Sequence, residues 1–163
     1  MSVDKYQPHV YVLPEDDANR QLANGFLLRV DPTRQRQMQV LPVAGGWQNV
    51  LNLFISDHVV KMDRYTDRFM ILLIDFDNNE DRLRTAKAAI PEGLADRVFV
   101  LGALSEPEAL KAVLGPYETI GSEMANDCRD ETDTTWGHDL LRHNAGELDR
   151  LRKHVRSILF DPV

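Results

Sequence analysis

Short apolar runs alternate along this chain with stretches whose apolar residues recur every three to four positions, the pattern of strands alternating with amphipathic helices. His9-Val10-Tyr11-Val12-Leu13 reads as a buried strand stopped by Pro14. Glu15 to Val30 predicts a helix, with Leu22, Phe26 and Val30 four positions apart, closed by Asp31-Pro32. Met38 to Val43 reads as a second strand, Gly45-Gly46 as a turn, and Trp47 to Val60 as a second helix. Phe69-Met70-Ile71-Leu72-Leu73-Ile74 is the most apolar run, and a run apolar on both faces suits a central parallel strand covered by helices. Glu80 to Ala89 predicts a helix closed by Pro91-Glu92-Gly93, and Arg97 to Leu101 a fourth strand. Ser105 to Leu114 predicts a helix stopped by Gly115-Pro116, followed by a short fifth strand over Tyr117 to Ile120. Residues 122–137 are polar and acidic and read as a loop. His138 to Phe160 predicts a C-terminal helix with a break at Gly146 and an apolar stripe of Leu148, Leu151, Val155, Ile158 and Leu159.

This order predicts an α/β fold: an open, mostly parallel sheet of four to five strands with helices on both faces, plus a C-terminal helix. A length of 163 residues suits one domain, with 122–163 as a loop and helical elaboration. With 43% hydrophobic and 28% charged residues, disorder throughout is excluded. No apolar run approaches the roughly 20 residues that span a bilayer. The start Met1-Ser2-Val3-Asp4-Lys5-Tyr6 lacks the basic and apolar segments of a signal peptide, so the expected location is the cytoplasm. The single cysteine, Cys128, excludes an internal disulfide framework and a multi-cysteine zinc site. The 19 basic and 26 acidic residues leave a net charge of −7. Non-specific nucleic-acid binding rests on neutralising phosphates, so such a role needs a local basic patch, a bridging cation or a basic partner.

In open α/β sheets ligands bind beyond the C-terminal ends of the strands. Three of those ends deliver carboxylates: Glu15-Asp16-Asp17 after the first strand, Asp75-Phe76-Asp77 after the central one, and Glu106 and Glu108 after the fourth. Carboxylates converging in one crevice repel unless they are protonated or share a cation, and clustered oxygen ligands favour magnesium, manganese or calcium. Structural explanations compete. Acidic residues are common in first helical turns, which accounts for Glu80 and Asp81. Ser105 and Glu108 have the spacing of a capping box. Asp75 is different, because it directly follows six apolar residues and lies at the edge of the core, where an unsupported charge is costly. Gly45-Gly46 is either a plain turn or a place where the backbone approaches a ligand. Neither the dinucleotide-binding glycine fingerprint nor a P-loop is present. Arg142, Arg150, Arg152, Lys153 and Arg156 are the densest positive charge, read either as a solvated helix face or as a contact for phosphates or an acidic partner. His138, His143 and His154 read as surface histidines, and Trp136 as a local packing anchor.

A glutamate after the first strand, a Gly-Gly loop after the second and Asp-x-Asp after the central strand together resemble the Toprim domain of topoisomerases, primases and small nucleases. The resemblance covers about residues 9–120. It implies metal-dependent phosphodiester chemistry on nucleic acid, with magnesium or manganese as cofactor. Glu15, Asp75 and Asp77 match the acidic motifs as ligands and catalytic groups. Gly45 and Gly46 match the glycine segment, and Glu106 or Glu108 the later acidic motif. Where the family usually has glycine after its glutamate, this chain has Asp16. With −7 net charge, robust activity is expected to need a basic protein partner, or a homodimer formed through the C-terminal stripe. Two alternatives stand beside this reading. One is a receiver-like domain with Asp75 as phosphoacceptor, although no lysine follows the candidate fifth strand. The other is a catalytically degenerate binding module.

Overall fold

The computed structural model describes residues 2–79 and 81–163 of the chain. Four strands, β1 (His9–Pro14), β2 (Met38–Val40), β3 (Arg68–Leu73) and β4 (Val98–Leu101), form one sheet in the order β2-β1-β3-β4. All neighbours are parallel, with Val12 opposite Val40 and Ile71, and Ile71 opposite Phe99. The chain steps from β1 to β2 on one side, then crosses back to place β3 on the other. The order therefore reverses between β1 and β3, which is where such sheets open a ligand crevice.

Helices cover both faces, as the apolar character of β3 requires. One face packs against α1 (Asp17–Leu27), α6 (Tyr117–Asp130) and α7 (Ala145–Phe160), through Leu22, Phe26, Ile120, Met124, Leu151 and Val155. The other packs against α2 (Trp47–Leu53), α3 (Val59–Arg64) and α4 (Asp81–Ala88), through Val50, Phe54, Met62 and Ala86. A π-helical turn over Phe54–His58 joins α2 to α3, so the predicted second helix runs on to Arg64 with one widened turn. The predicted helix start at Glu80 lies outside the described residues. A further helix, α5 (Pro107–Leu114), follows β4.

The structure corrects several expectations. β2 ends at Val40, three residues earlier than predicted. Tyr117 to Ile120 is not a fifth strand but the first turn of α6, and the expected loop from residue 122 is helical to Asp130. Tyr117, Ile120, Met124 and Cys128 form a buried stripe at helical spacing. The Ser105–Glu108 capping box does not form. Pro107 takes the first helical position, a place that suits it, so Glu106 stands at the N-cap and makes no side-chain cap bond. The C-terminal helix begins at Ala145 after a short 3₁₀ turn at Arg142–Asn144 and passes through Gly146 unbroken. Its apolar stripe is buried inside the chain.

Asp127 fastens the end of α6. Its carboxylate accepts from Thr132 Oγ1 at 2.6 Å, Thr135 N at 2.6 Å and Trp136 N at 3.1 Å. Trp136 is buried, and its indole donates to the Met124 carbonyl at 3.1 Å. Asp127→Ala leaves buried donors without a partner and is expected to cost about 2–3 kcal/mol. Calorimetry should show this as a fall in Tm of about 5–10 °C. The outer side of β4 is also occupied. The Asn144 amide exchanges two hydrogen bonds with Gly102, accepting from its N–H at 3.1 Å and donating to its carbonyl at 2.9 Å. Leu104 N–H donates to the Leu140 carbonyl, and the Arg150 guanidinium bonds the carbonyls of Ala95 and Val98.

Candidate functional site

The crevice between the ends of β1 and β3 gathers Glu15, Asp16 and Asp75. Glu15 directly follows β1 and points across to β3, where its Oε2 accepts from the Asp75 backbone N–H at 2.6 Å. Asp16 is the N-cap of α1, and its Oδ1 accepts from Asn19 N at 3.0 Å. The Asn19 side chain is fully buried, and its Nδ2 donates to both Asp16 Oδ1 and Asp75 Oδ1, at 3.1 Å each. One amide thus holds two carboxylates from different strands. Asn19 Oδ1 has no partner among the described residues.

Packing three carboxyl groups at the edge of the core has an electrostatic result. Burial pushes the Asp75 carboxyl up to about 7, against the hydrogen bond from Asn19, and the nearby Asp16 and Glu15 charges push the same way. Burial also raises Glu15, opposed by the hydrogen bond from Asp75 N–H and reinforced by Asp16. Tyr117, at the start of α6, feels the same field: burial raises its phenol first, and Glu108, Asp16 and Asp75 add to the effect.

Positive charge arrives from α4. Arg82 donates from Nη1 to the Asp75 carbonyl at 2.7 Å, and its Nη2 lies 3.6 Å from Asp77 Oδ2. The guanidinium stacks on the Trp47 ring at 4.9 Å and its side chain is only 16% exposed. Asp77 and Asn78 adopt left-handed backbone, with φ of 50° and 55°, which these two residue types tolerate better than most. That turn lifts Asp77 out of the crevice into solvent. On the other flank, Gly45 and Gly46 donate their N–H groups to the Glu15 carbonyl, at 2.8 and 3.2 Å. Their φ values of 84° and 129° explain the glycines: the loop wraps the end of β1 in a backbone shape other residues resist.

Of the residues singled out from sequence, Glu15 and Asp75 come into contact, and Asp77 joins them through Arg82. Gly45 and Gly46 support Glu15 through its backbone. Glu106 sits exposed at the start of α5, and its side chain is outside the hydrogen-bonded group of Glu15, Asp16, Asn19 and Asp75. Among the described residues, no three His, Cys, Asp or Glu side chains form a ready-made metal cage. Asn19, Arg82 and Tyr117 were not foreseen. The alternative of an open basic face on α7 does not hold for most of its cations. Arg150 pairs with Glu147, Arg152 with Asp133 and the carbonyls of Asp127 and Thr132, and Arg156 bonds the Arg129 carbonyl. Compared with protein-family models, curated proteins and solved structures, the chain finds no significant match in any of the three.

Proposed function

We propose that the crevice carries cation-assisted phosphodiester chemistry on nucleic acid, in the manner of a Toprim-like nuclease or nuclease subunit. The observation that carries this reading is the convergence of Glu15 and Asp75 at the sheet's reversal point, with the Asp75 carboxyl pushed to about 7. A carboxyl so raised by burial and like charges is one that a cation returns to its ionised form.

The donor set fits a hard divalent ion. Magnesium needs only one or two carboxylates, because water and substrate phosphate complete its shell. Asp75 would hold it inside the crevice, with Asp77 contributing from the solvent-exposed rim, and when bound it would neutralise phosphate charge and orient the attacking group. Glu15, whose carboxyl burial raises, suits the role of proton acceptor. Arg82, held by Trp47 and the Asp75 carbonyl, offers a guanidinium beside the rim, a good partner for a phosphate oxygen. With −7 net charge and most of the α7 cations engaged internally, binding of a nucleic acid at physiological salt depends on a second, more basic component. A monomer that binds tightly and cleaves rapidly by itself would refute that dependence.

The test is thermal. Manganese or magnesium at a hundred times its dissociation constant should stabilise the fold by about 2.7 kcal/mol. At this chain length that is a Tm rise of about 5–10 °C. Asp75→Asn combined with Asp77→Asn should abolish the rise, and an unchanged rise would remove the site. Cleavage assays with manganese then test the chemistry. A receiver-like phosphoacceptor shares the acidic pocket of Asp16 and Asp75, and beryllofluoride separates the two readings: stable adduct formation at Asp75 would favour the receiver. The absence of a fifth strand among the described residues speaks against it.

A further inference from the structure

A second cleft opens beside the carboxylate rim, between α4 and the segment leading into α7. Its volume is about 450 Å³, within the range of small-molecule sites, and Phe76, Leu83, Arg84, Lys87, Leu104 and His143 line it. Phe76 stands between Asp75 and Asp77, so the cleft and the rim share one turn of chain.

The lining divides by chemistry. Phe76, Leu83 and Leu104 form an apolar wall. His143 meets Phe76 edge-on, with ring centroids 5.1 Å apart. Both its ring nitrogens are buried; neither makes a hydrogen bond of good geometry among the described residues, although the Gly102 carbonyl lies close to the ring. A buried imidazole with at most one weakly engaged nitrogen leaves a polar atom whose bonding a ligand can complete. Arg84 and Lys87 supply cations from α4. Among the described residues Arg84 pairs with Asp81, at 3.2 Å, and both side chains are mostly exposed, so that pair holds it weakly. Lys87 Nζ lies 2.7 Å from Glu147 Oε1, but the same buried carboxylate also pairs with Arg150. Among the described residues, Lys87 and Arg150 share that one carboxylate, so Lys87 is only partly neutralised by it.

We propose that this cleft is a nucleotide subsite, holding one nucleotide of a strand whose phosphodiester lies at the neighbouring rim. The base lies against Phe76, Leu83 and Leu104, the phosphate meets Arg84 and Lys87, and His143 hydrogen-bonds the nucleotide. The ligand's identity rests on the nucleic-acid reading of the rim, whereas its chemistry, an aromatic group joined to an anion, rests on the cleft itself.

The experiment is a titration followed by NMR, with a 5′-mononucleotide, a short single-stranded oligonucleotide and inorganic phosphate as probes. The mononucleotide should shift the His143 Hε1 resonance and the methyls of Leu83 and Leu104. The oligonucleotide should bind more tightly than the mononucleotide, and phosphate more weakly. Arg84→Ala with Lys87→Gln should weaken nucleotide binding about tenfold, the size expected for losing charge-assisted phosphate contacts. Arg84 is exposed, so Arg84→Ala alone tests the idea in an unperturbed fold. Unmoved resonances, equal affinity for phosphate and nucleotide, or unchanged binding in the variants would overturn the proposal. A mononucleotide that binds while the oligonucleotide does not would overturn the strand subsite in favour of a free-nucleotide site. Repeating the titration on Asp75→Asn with Asp77→Asn separates the two sites: shifts at His143 should persist there, whether or not the rim binds a cation.

Discussion

Replacing Gly121 with valine should destabilise the protein by about 3–5 kcal/mol, more than a typical core substitution. Gly121 lies where α6 crosses α1, and a Cβ there would come within 1.9 Å of the Leu22 carbonyl oxygen. The contact is reciprocal. A Cβ on Gly25 would come within 2.0 Å of the Glu118 carbonyl oxygen. Both obstacles are helix backbone, so no side chain can turn aside, and the helices must separate. Ser122 adds a hydroxyl bond to the Gly25 carbonyl at 3.0 Å, which separation would break. Denaturant titration should show a lower midpoint with little change in slope. Because α1 carries Asp16 and Asn19 and α6 begins with Tyr117, the same change should also lower the apparent cation affinity. Gly121→Val with wild-type stability would mean that the two helices tolerate a wider spacing.

Asp75→Asn should make the protein more stable at pH 8, and by an amount that vanishes near pH 4. The wild-type carboxyl titrates near 7 in the folded chain, against an ordinary value of 3.8. Its protonated form is favoured on folding, so its contribution is fully present below about pH 4 and is lost as pH rises through about 7. That gap corresponds to at most about 4 kcal/mol. Solvent screening at the half-buried rim reduces the expectation to about 2 kcal/mol. Asparagine cannot ionise and escapes the loss. Urea unfolding of both proteins between pH 4 and pH 8 would measure the difference. Curves that stay parallel across this range would show that the Asp75 charge carries no folding cost. A saturating divalent ion should narrow the difference at pH 8, since it supplies the charge that the crevice lacks.

The sheet and the two acids that meet across it were legible because strand periodicity and the rule of strand ends are local signals. Phe69 to Ile74 reads as an interior strand, and Asp75 directly follows it. Asn19, Arg82 and Tyr117 carry no such signal. Each lies on a helix, and only the packing of α1, α4 and α6 brings it to the crevice. The α6 error has a specific cause. Tyr117 to Ile120 is too short a run to tell strand from helix, and the polar residues after it hide the buried stripe that continues through Met124 and Cys128. The basic residues of α7 are legible in sequence only as a count of charges. Composition counts arginines, but only tertiary structure shows that Arg150 and Arg152 bind backbone carbonyls elsewhere in the chain.

The occupied side of β4 has a consequence for how this molecule meets others. A parallel sheet exposes a ladder of amide groups at each margin, and an unguarded margin recruits foreign strands into polymers. Here Asn144 mimics the partner strand with its own amide, and Arg150 covers the carbonyls below it. The opposite margin is β2, only three residues long, too short to template much pairing. Among the described residues, one margin is partly covered and the other is short. Asn144→Ala would uncover one of them, turning a solubility device into an amyloid-type hazard. Thioflavin fluorescence on prolonged incubation would reveal it as fibre growth that the wild-type chain does not show.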